Sequence, residues 1–459
     1  MNSIPGDLRT DRQPPMAIPL RHFVVALAFL VIGSVGGLAM TVASPPGLAD
    51  VAHLHALLVG WVVLTIMGAM TQFVPVWSGV TIHSRRLALA QLWFVTIGLV
   101  GFAGTLLVGD LAWLPAFGAL LLAGVWTFVY NVGRTLARAR PFDFTERHFA
   151  LALVCFALLA PLGFLLALDF TRPVFADLPF EVLRGDVLLV HATLALFGAI
   201  TATIVGALAQ LGKMFTQGRL RRIDEHALAL EQALYPAGLA LFVAGRGLGS
   251  EPLARLGGLA LLAGLGTFAL VVVWLLVRST ADRSPMTDRY WVVVASLLAW
   301  IGVTVPAWWL EPASYETLFG HPDGRTVLVI GVFGFVVVGS LYHIVPFIIW
   351  MNRYSDRLGF ERVPMIDDLY DDRLERVDFA TTLLGFVALS AASLFDLPRA
   401  ATVGGTLLVT LGFALFVANV LLTIHRHGPD GIGGVLTSAL EGDDSATPEE
   451  VGGVREPES

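Results

Sequence analysis

Three histidines stand where apolar helices begin. His53 and His55 open the run "HLHALLVGWVVLTIMGAMTQFVPVW", residues 53–77, and His191 opens "HATLALFGAITATIVGALAQ". An imidazole in hydrocarbon is costly unless it is hydrogen-bonded or bound to something, so each is a functional candidate. Neutral imidazole suits haem iron or copper. Residues i and i+2 point about 200° apart on an α-helix, so His53 and His55 face different neighbours and do not readily chelate one ion. One of them can turn toward His191, and the other toward another helix, a second group or the interfacial water. Each position also has an ordinary reading: His53 as a hydrated interfacial residue, His55 and His191 as rings satisfied by a carbonyl or side chain.

Other costly polar residues lie in apolar surroundings. Glu231 should sit about 8 Å inside its helix at 1.5 Å per residue, one turn from Tyr235, where a carboxyl can conduct protons, gate a path or serve as a hydrogen-bonded structural acid. Asn131 and Asn419 are weaker candidates of the same kind. His343 aligns with Gln72 and Gln210, which suggests one slot for a polar side chain bonded between helices. Arg325, Arg172 and Arg184 fall at helix ends near the histidines and can donate to an anionic group or simply snorkel. His22, His83, His148, His226, His321, His425 and His427 are expected to be solvated, and Cys155 to be a buried structural thiol.

These residues are positioned by membrane helices. Of 459 residues, 56% are hydrophobic and only 14% charged, with a mean hydropathy of +0.75; soluble domains carry about 25% charged residues. Apolar runs of the length needed to cross about 30 Å of hydrocarbon fall at 21–43, 51–77, 87–108, 111–133, 148–168, 185–211, 227–248, 252–278, 290–310, 326–350, 377–396 and 400–425. The chain is therefore expected to be an all-α polytopic membrane protein with twelve transmembrane helices. No small-residue cleavage site follows a short apolar core, so the first run is expected to remain as a span. Trp77, Trp113, Trp308, Trp309 and Trp350 lie near span ends, as an aromatic belt would.

Twelve spans put both termini on one side of the bilayer. With that side inside, 23 of the 29 Lys and Arg residues face inward and 6 outward, so the positive-inside rule places both termini in the cytoplasm of a cell-membrane protein. The histidine-bearing starts of spans 2 and 6 then lie near the outer face.

Three even-numbered spans share a template. Span 2 has His53-x-His55, Gly60, Gly68-Ala69-x-x-Gln72 and Pro75; span 6 has His191-x-Thr193, Gly198 and Gly206-Ala207-x-x-Gln210; span 10 has Gly324-x-Thr326, Gly331, Gly339-Ser340-x-x-His343 and Pro346. They align without gaps at offsets of 138 and 133. Small residues eight apart on one face let helices approach closely. The expected organisation is a cytoplasmic segment (1–20), a membrane domain (21–426) of three four-helix repeats at about 21–147, 148–289 and 290–426, and a disordered acidic cytoplasmic tail (427–459).

The threefold repeat and the histidines of spans 2 and 6 resemble subunit I of the haem-copper oxidase superfamily. Within it, span 2 is most similar to the NnrS family: His53-x-His55, Gly60, Gly68, then Pro75, Val76, Trp77, Ser78 and Gly79. The resemblance weakens in span 6 to His191 and the "TQGR" ending at Arg219. It implies bound haem b, with copper as a further possibility held by His53, His55 and His191, and Arg325 as a propionate partner. It also implies a redox partner or neighbouring membrane subunit and a role in nitric oxide response. Compared with cbb-type oxidases, span 7 ("EQALYPAGLALFVAG") has no histidine, span 6 has Thr193 near the copper-ligand position, and span 10 has Gly324-Arg325-Thr326 in place of His-x-His. Oxygen reduction by the family mechanism is therefore not expected. A degenerate oxidase or nitric oxide reductase subunit and a secondary transporter are the competing readings. No nucleotide-binding motif or nucleic-acid signature is evident.

Overall fold

The structure, a computed structural model, describes residues 13–176, 183–428 and 431–437. All twelve expected spans are present as helices: α1 (Ala17–Val42), α2 (Ala49–Ser78), α3 (Arg85–Val108), α4 (Leu111–Leu136), α5 (Phe144–Leu168), α6 (Arg184–Thr216), α7 (Arg222–Gly247), α8 (Glu251–Val277), α9 (Pro285–Leu310), α10 (Pro322–Arg353), α11 (Asp372–Leu394) and α12 (Arg399–His427). Several run past their apolar runs, because hydropathy marks the hydrocarbon boundary while the backbone stays helical through a polar first turn. Thus α11 starts at Asp372, with Asp371 capping the amides of Arg373 and Leu374.

The tail differs from expectation. Residues 431–437 form a further short helix, α13 (Gly431–Thr437), whose Val435 is buried and accepts a hydrogen bond from the Arg21 guanidinium at its carbonyl. The apolar residues of "GIGGVLT" have a face of α1 and α12 to cover, which outweighs the disorder suggested by the surrounding composition. Asp7, Arg9, Asp11 and Arg12 of the N-terminal segment, and the tail beyond Thr437, lie outside the described residues.

The helices close into a ring. α4 packs on α5, α8 on α9, and α12 on α1; at the last junction Thr410 donates to the Ser34 carbonyl at 3.2 Å and Arg399 to the Thr41 carbonyl at 2.6 Å. The second helix of each four stands at the centre. Buried fractions are 78, 67 and 72% for α2, α6 and α10 and no more than 56% for the others.

Each central helix widens into a π-helical segment: Ala56–Val63, Leu194–Ile200 and Val327–Gly334. Their starts are 138 and 133 residues apart, the offsets of the sequence template. An equivalent glycine lies in each segment, and a Cβ there would come within 2.5 Å of Phe29 (at Gly60), Cys155 (at Gly198) or Ser296 (at Gly331). The second glycine row, Gly68, Gly206 and Gly339, faces the Cβ atoms of His22, His148 and Arg289 at 2.7, 2.9 and 3.2 Å. Both sets of partners are related by 126 and 141 residues. The first helix of every repeat therefore docks on the second through the same two small-residue positions, where missing side chains allow close van der Waals packing.

Asn131 and Asn419 have a structural task. Asn131 accepts from the Ser84 amide and donates to its carbonyl at 2.9 and 3.0 Å; Asn419 does the same with Asp371 at 2.9 and 2.8 Å. Each ties the fourth helix of its repeat to the start of the third.

Candidate histidine site at the helix mouths

The three histidines gather at the end of the bundle where α2, α6 and α10 begin, termed here the mouth end. His53 and His191, equivalent in the repeat, make equivalent bonds. The His53 Nε2–H donates to the Gly33 carbonyl of α1 at 3.0 Å, and the His191 Nδ1–H to the Leu159 carbonyl of α5 at 3.0 Å. The two carbonyls are 126 residues apart, as are the glycines that make room for the rings: a Cβ at Gly37 would lie 3.0 Å from His53 Nε2, and one at Gly163 2.8 Å from His191 Cε1. Equivalence thus turns each ring onto the first helix of its own repeat.

The two rings differ in the nitrogen they spend. His53 uses Nε2, whereas His191 uses Nδ1 and keeps the Nε2 lone pair. His55 also keeps it: its Nδ1–H donates to the Val51 carbonyl one turn back at 2.8 Å, and its ring packs on Phe102 at 5.0 Å between centroids. His55 and His191 lie within electrostatic reach of one another. Imidazoles that ligate metals usually donate the other ring N–H to a carbonyl or carboxylate, which sets the tautomer, and both rings meet that condition.

The donor set is a pair. Among the described residues no three of His, Cys, Asp and Glu converge to hold a metal ion. Two imidazoles could hold a haem iron; among the described residues no third such side chain joins them for a copper ion. Both His55 and His191 are only partly buried.

The expected arginines are exposed or engaged by other groups. Arg325 is exposed, its guanidinium 5.3 Å from the Phe319 ring; Arg184 is engaged by Asp169 at 2.9 Å and the Leu166 carbonyl at 3.0 Å; Arg172 is exposed. A different arginine is buried at this end. Arg246 of α7 donates to the Pro312 carbonyl (2.9 Å), the Thr193 hydroxyl (2.7 Å) and the Thr317 carbonyl (3.2 Å), and stacks on Phe242 at 3.9 Å. None of these partners is an acid, and Thr193 occupies in α6 the place that His55 occupies in α2. In the sequence Arg246 reads as an ordinary polar helix end; it is buried because residues 311–321 fold over it.

Several expectations about the remaining polar residues are overturned. His22 and His148 are buried, not solvated, because they lie under the second glycine row. Glu231, nine residues into α7, is about 14 Å from its start and bonds to His148 at 2.9 Å, while the Tyr235 hydroxyl donates instead to the Phe197 carbonyl. The shared slot proposed for Gln72, Gln210 and His343 is not used alike. Gln72 is buried and weakly bonded to Gln13 at 3.5 Å, Gln210 is half-buried, and His343 sits between the Phe215 and Phe347 rings at 4.6 and 5.7 Å. Trp308 and Trp350 are buried and bond to the Thr317 and Pro364 carbonyls instead of joining a belt; Trp113 and Trp309 are exposed. Outside the spans, burial and the adjacent Arg134 and Arg138 lower the His83 pKa below 6.5, and Arg138 donates to the His83 Nδ1 at 3.2 Å.

Nine helices ringed about three central ones, with histidines at the mouths of two, make this a multi-pass membrane protein with a fold like that of haem-copper oxidase subunit I. Over 180 residues it is 27% identical to cbb3-type cytochrome c oxidase subunit CcoN1 of Stutzerimonas stutzeri, a match covering 31% of this chain and 37% of that protein. No family model matches the sequence.

Proposed function

We propose that the protein binds a b-type haem at the mouth end, which the Nε2 atoms of His55 and His191 would hold. The observation that carries this reading is the pairing of two imidazoles from different repeats, each with Nδ1–H anchored to a backbone carbonyl. Haem bound there would supply reversible one-electron chemistry. The protein's part is to hold two neutral rings in register: Val51 and Leu159 fix the tautomers, Gly163 leaves space for His191, and Phe102 backs His55. Copper bound to the same imidazoles is the variant of this reading.

The superfamily likeness supports the haem assignment. Similarity of span 2 to NnrS motivates a role in nitric oxide response or respiratory redox metabolism, with a redox partner or neighbouring membrane subunit as electron donor. The arginine distribution supports cytoplasmic termini in the cell membrane, which would put the mouth end outside. Turnover of oxygen by a haem-copper centre is not proposed, since residues 231–245 of α7 and Gly324-Arg325-Thr326 at the start of α10 offer no histidine.

Absorption spectroscopy and metal analysis of the purified protein test the assignment. A Soret band is expected that is lost in His55→Ala and in His191→Ala and persists in His53→Ala, whose ring spends Nε2 on Gly33. A colourless preparation, or a band indifferent to His55 and His191, defeats it.

A further inference from the structure

Away from the histidine site, the three repeats carry one polar contact in three chemical versions. On the first helix of each repeat stand His22, His148 and Arg289, each bonded back to the carbonyl four residues earlier: Ile18 (2.9 Å), Phe144 (3.0 Å) and Pro285 (3.1 Å). On the third helix, 140 and 147 residues apart, stand their partners Gln91, Glu231 and Asp378. All six are buried.

The versions differ in whether they need a labile proton. In the first repeat the His22 Nδ1–H is committed to Ile18, and Gln91 Nε2, at 3.4 Å, donates to the bare Nε2; an amide does this with no titrating group. In the third repeat Arg289 is permanently charged and donates to Glu375, at 2.5 Å, and to Asp378, which also accepts from the Tyr342 hydroxyl; its donors carry fixed protons. In the middle repeat the His148 Nδ1–H is committed to Phe144, and Nε2 faces Glu231 Oε1 at 2.9 Å. A carboxylate and a bare imidazole nitrogen are both acceptors, so that contact requires one proton between them: on the carboxyl, or on the ring as an imidazolium.

We infer that His148 and Glu231 form a proton-binding site, and that among these three equivalent contacts it alone requires a labile proton between its two partners. With one shared proton the pair is neutral. Loss of that proton to water leaves a carboxylate beside a neutral ring, and uptake of one more leaves a neutral acid beside an imidazolium. The nearest charge on the same two helices is Arg147, beside His148, which is exposed and donates to Gln232, beside Glu231, at 2.8 Å. Among the described residues α6 presents Gly206 and the Phe197 carbonyl, α8 presents Phe268 behind Phe144, and the further ionisable groups are Tyr235 of α7, 6.0 Å from the His148 ring, and Cys155 of α5 behind Tyr235. His148 lies four residues, about 6 Å, from the start of α5 at the end opposite the mouth, so the proton exchanges with water on that side.

Infrared difference spectroscopy between mildly acidic and alkaline buffer tests this without reference to any haem. A protonated-carboxyl band is expected that shifts in D2O, moves when glutamate is isotopically labelled, and disappears in Glu231→Gln. That variant should fold, because His22 and Gln91 already form the amide version of the contact; an unchanged unfolding midpoint checks this. The labelled wild type decides the matter even if the variant fails to fold. Absence of a glutamate band in the labelled wild type, or its persistence in Glu231→Gln, overturns the assignment.

Discussion

Gly163→Ala separates the geometry of the proposed ligand from the stability of the bundle. The new Cβ would lie 2.8 Å from His191 Cε1 and 3.3 Å from Nδ1, whereas carbon atoms pack at about 3.5–4.0 Å. The ring must therefore retreat by about 1 Å. The bond from Nδ1 to Leu159, 3.0 Å long, then exceeds the hydrogen-bonding range of about 3.2 Å, a loss of about 0.5–1.5 kcal/mol. Alanine's preference for a helix interior over glycine returns about 1 kcal/mol, so net stability should change by no more than about 1 kcal/mol. Haem content should nonetheless fall to that of His191→Ala, because the ring has lost the contact that sets its tautomer and direction. Gly104→Ala in α3, where a Cβ meets nothing within 4 Å, is the control and should leave haem content unchanged. The assay is haem absorbance per polypeptide together with thermal unfolding in detergent. Wild-type haem content in Gly163→Ala, alongside loss in His191→Ala, would refute the idea that the Leu159 contact positions this ring.

Arg289→Met strands the Glu375 and Asp378 carboxyls in the interior and should cost about 3–5 kcal/mol; adding Glu375→Met and Asp378→Leu should restore most of it, and a single variant as stable as wild type in denaturant unfolding would contradict the buried-triad account. Arg246→Met removes the donor to the Pro312 carbonyl, a loss of about 1–3 kcal/mol, and should make residues 311–321 more susceptible to limited proteolysis; unchanged cleavage speaks against a bracing role. For His83 the folded-state pKa lies below its unfolded value of 6.5, so its contribution to stability is present above that pH and is lost as pH falls toward the depressed folded value. Its ring resonances should titrate below 6.5 and shift upward in Arg134→Gln and Arg138→Gln; a midpoint at or above the model-peptide range rules this out.

The twelve spans and the alignment of the repeats were legible in the sequence for a common reason. Partition into hydrocarbon is a sum over neighbouring residues, and glycines spaced eight apart mark one face of a helix whatever packs there. The same offsets reappear in the π-helical segments, and the partners of Gly60, Gly198 and Gly331 repeat at offsets of their own, 126 and 141, so that the local pattern and the packing coincide there. The sequence also marked His53, His55 and His191 as residues too polar to be casual where they stand.

Which way those residues turn was decided only by tertiary structure. The choice of His55 over His53 as the neighbour of His191 depends on the rotation of α2 against α1, where the Gly33 carbonyl and the space above Gly37 capture His53. Arg246 is buried because a distant loop covers it, and His148 because α6 and α7 close around it; nothing within one helix distinguishes either from a solvated helix end. The chain alone dictated which segments enter the membrane, because that free energy accumulates residue by residue along each helix. The bundle dictated which side chains meet, because a contact between helices depends on the position and rotation of both.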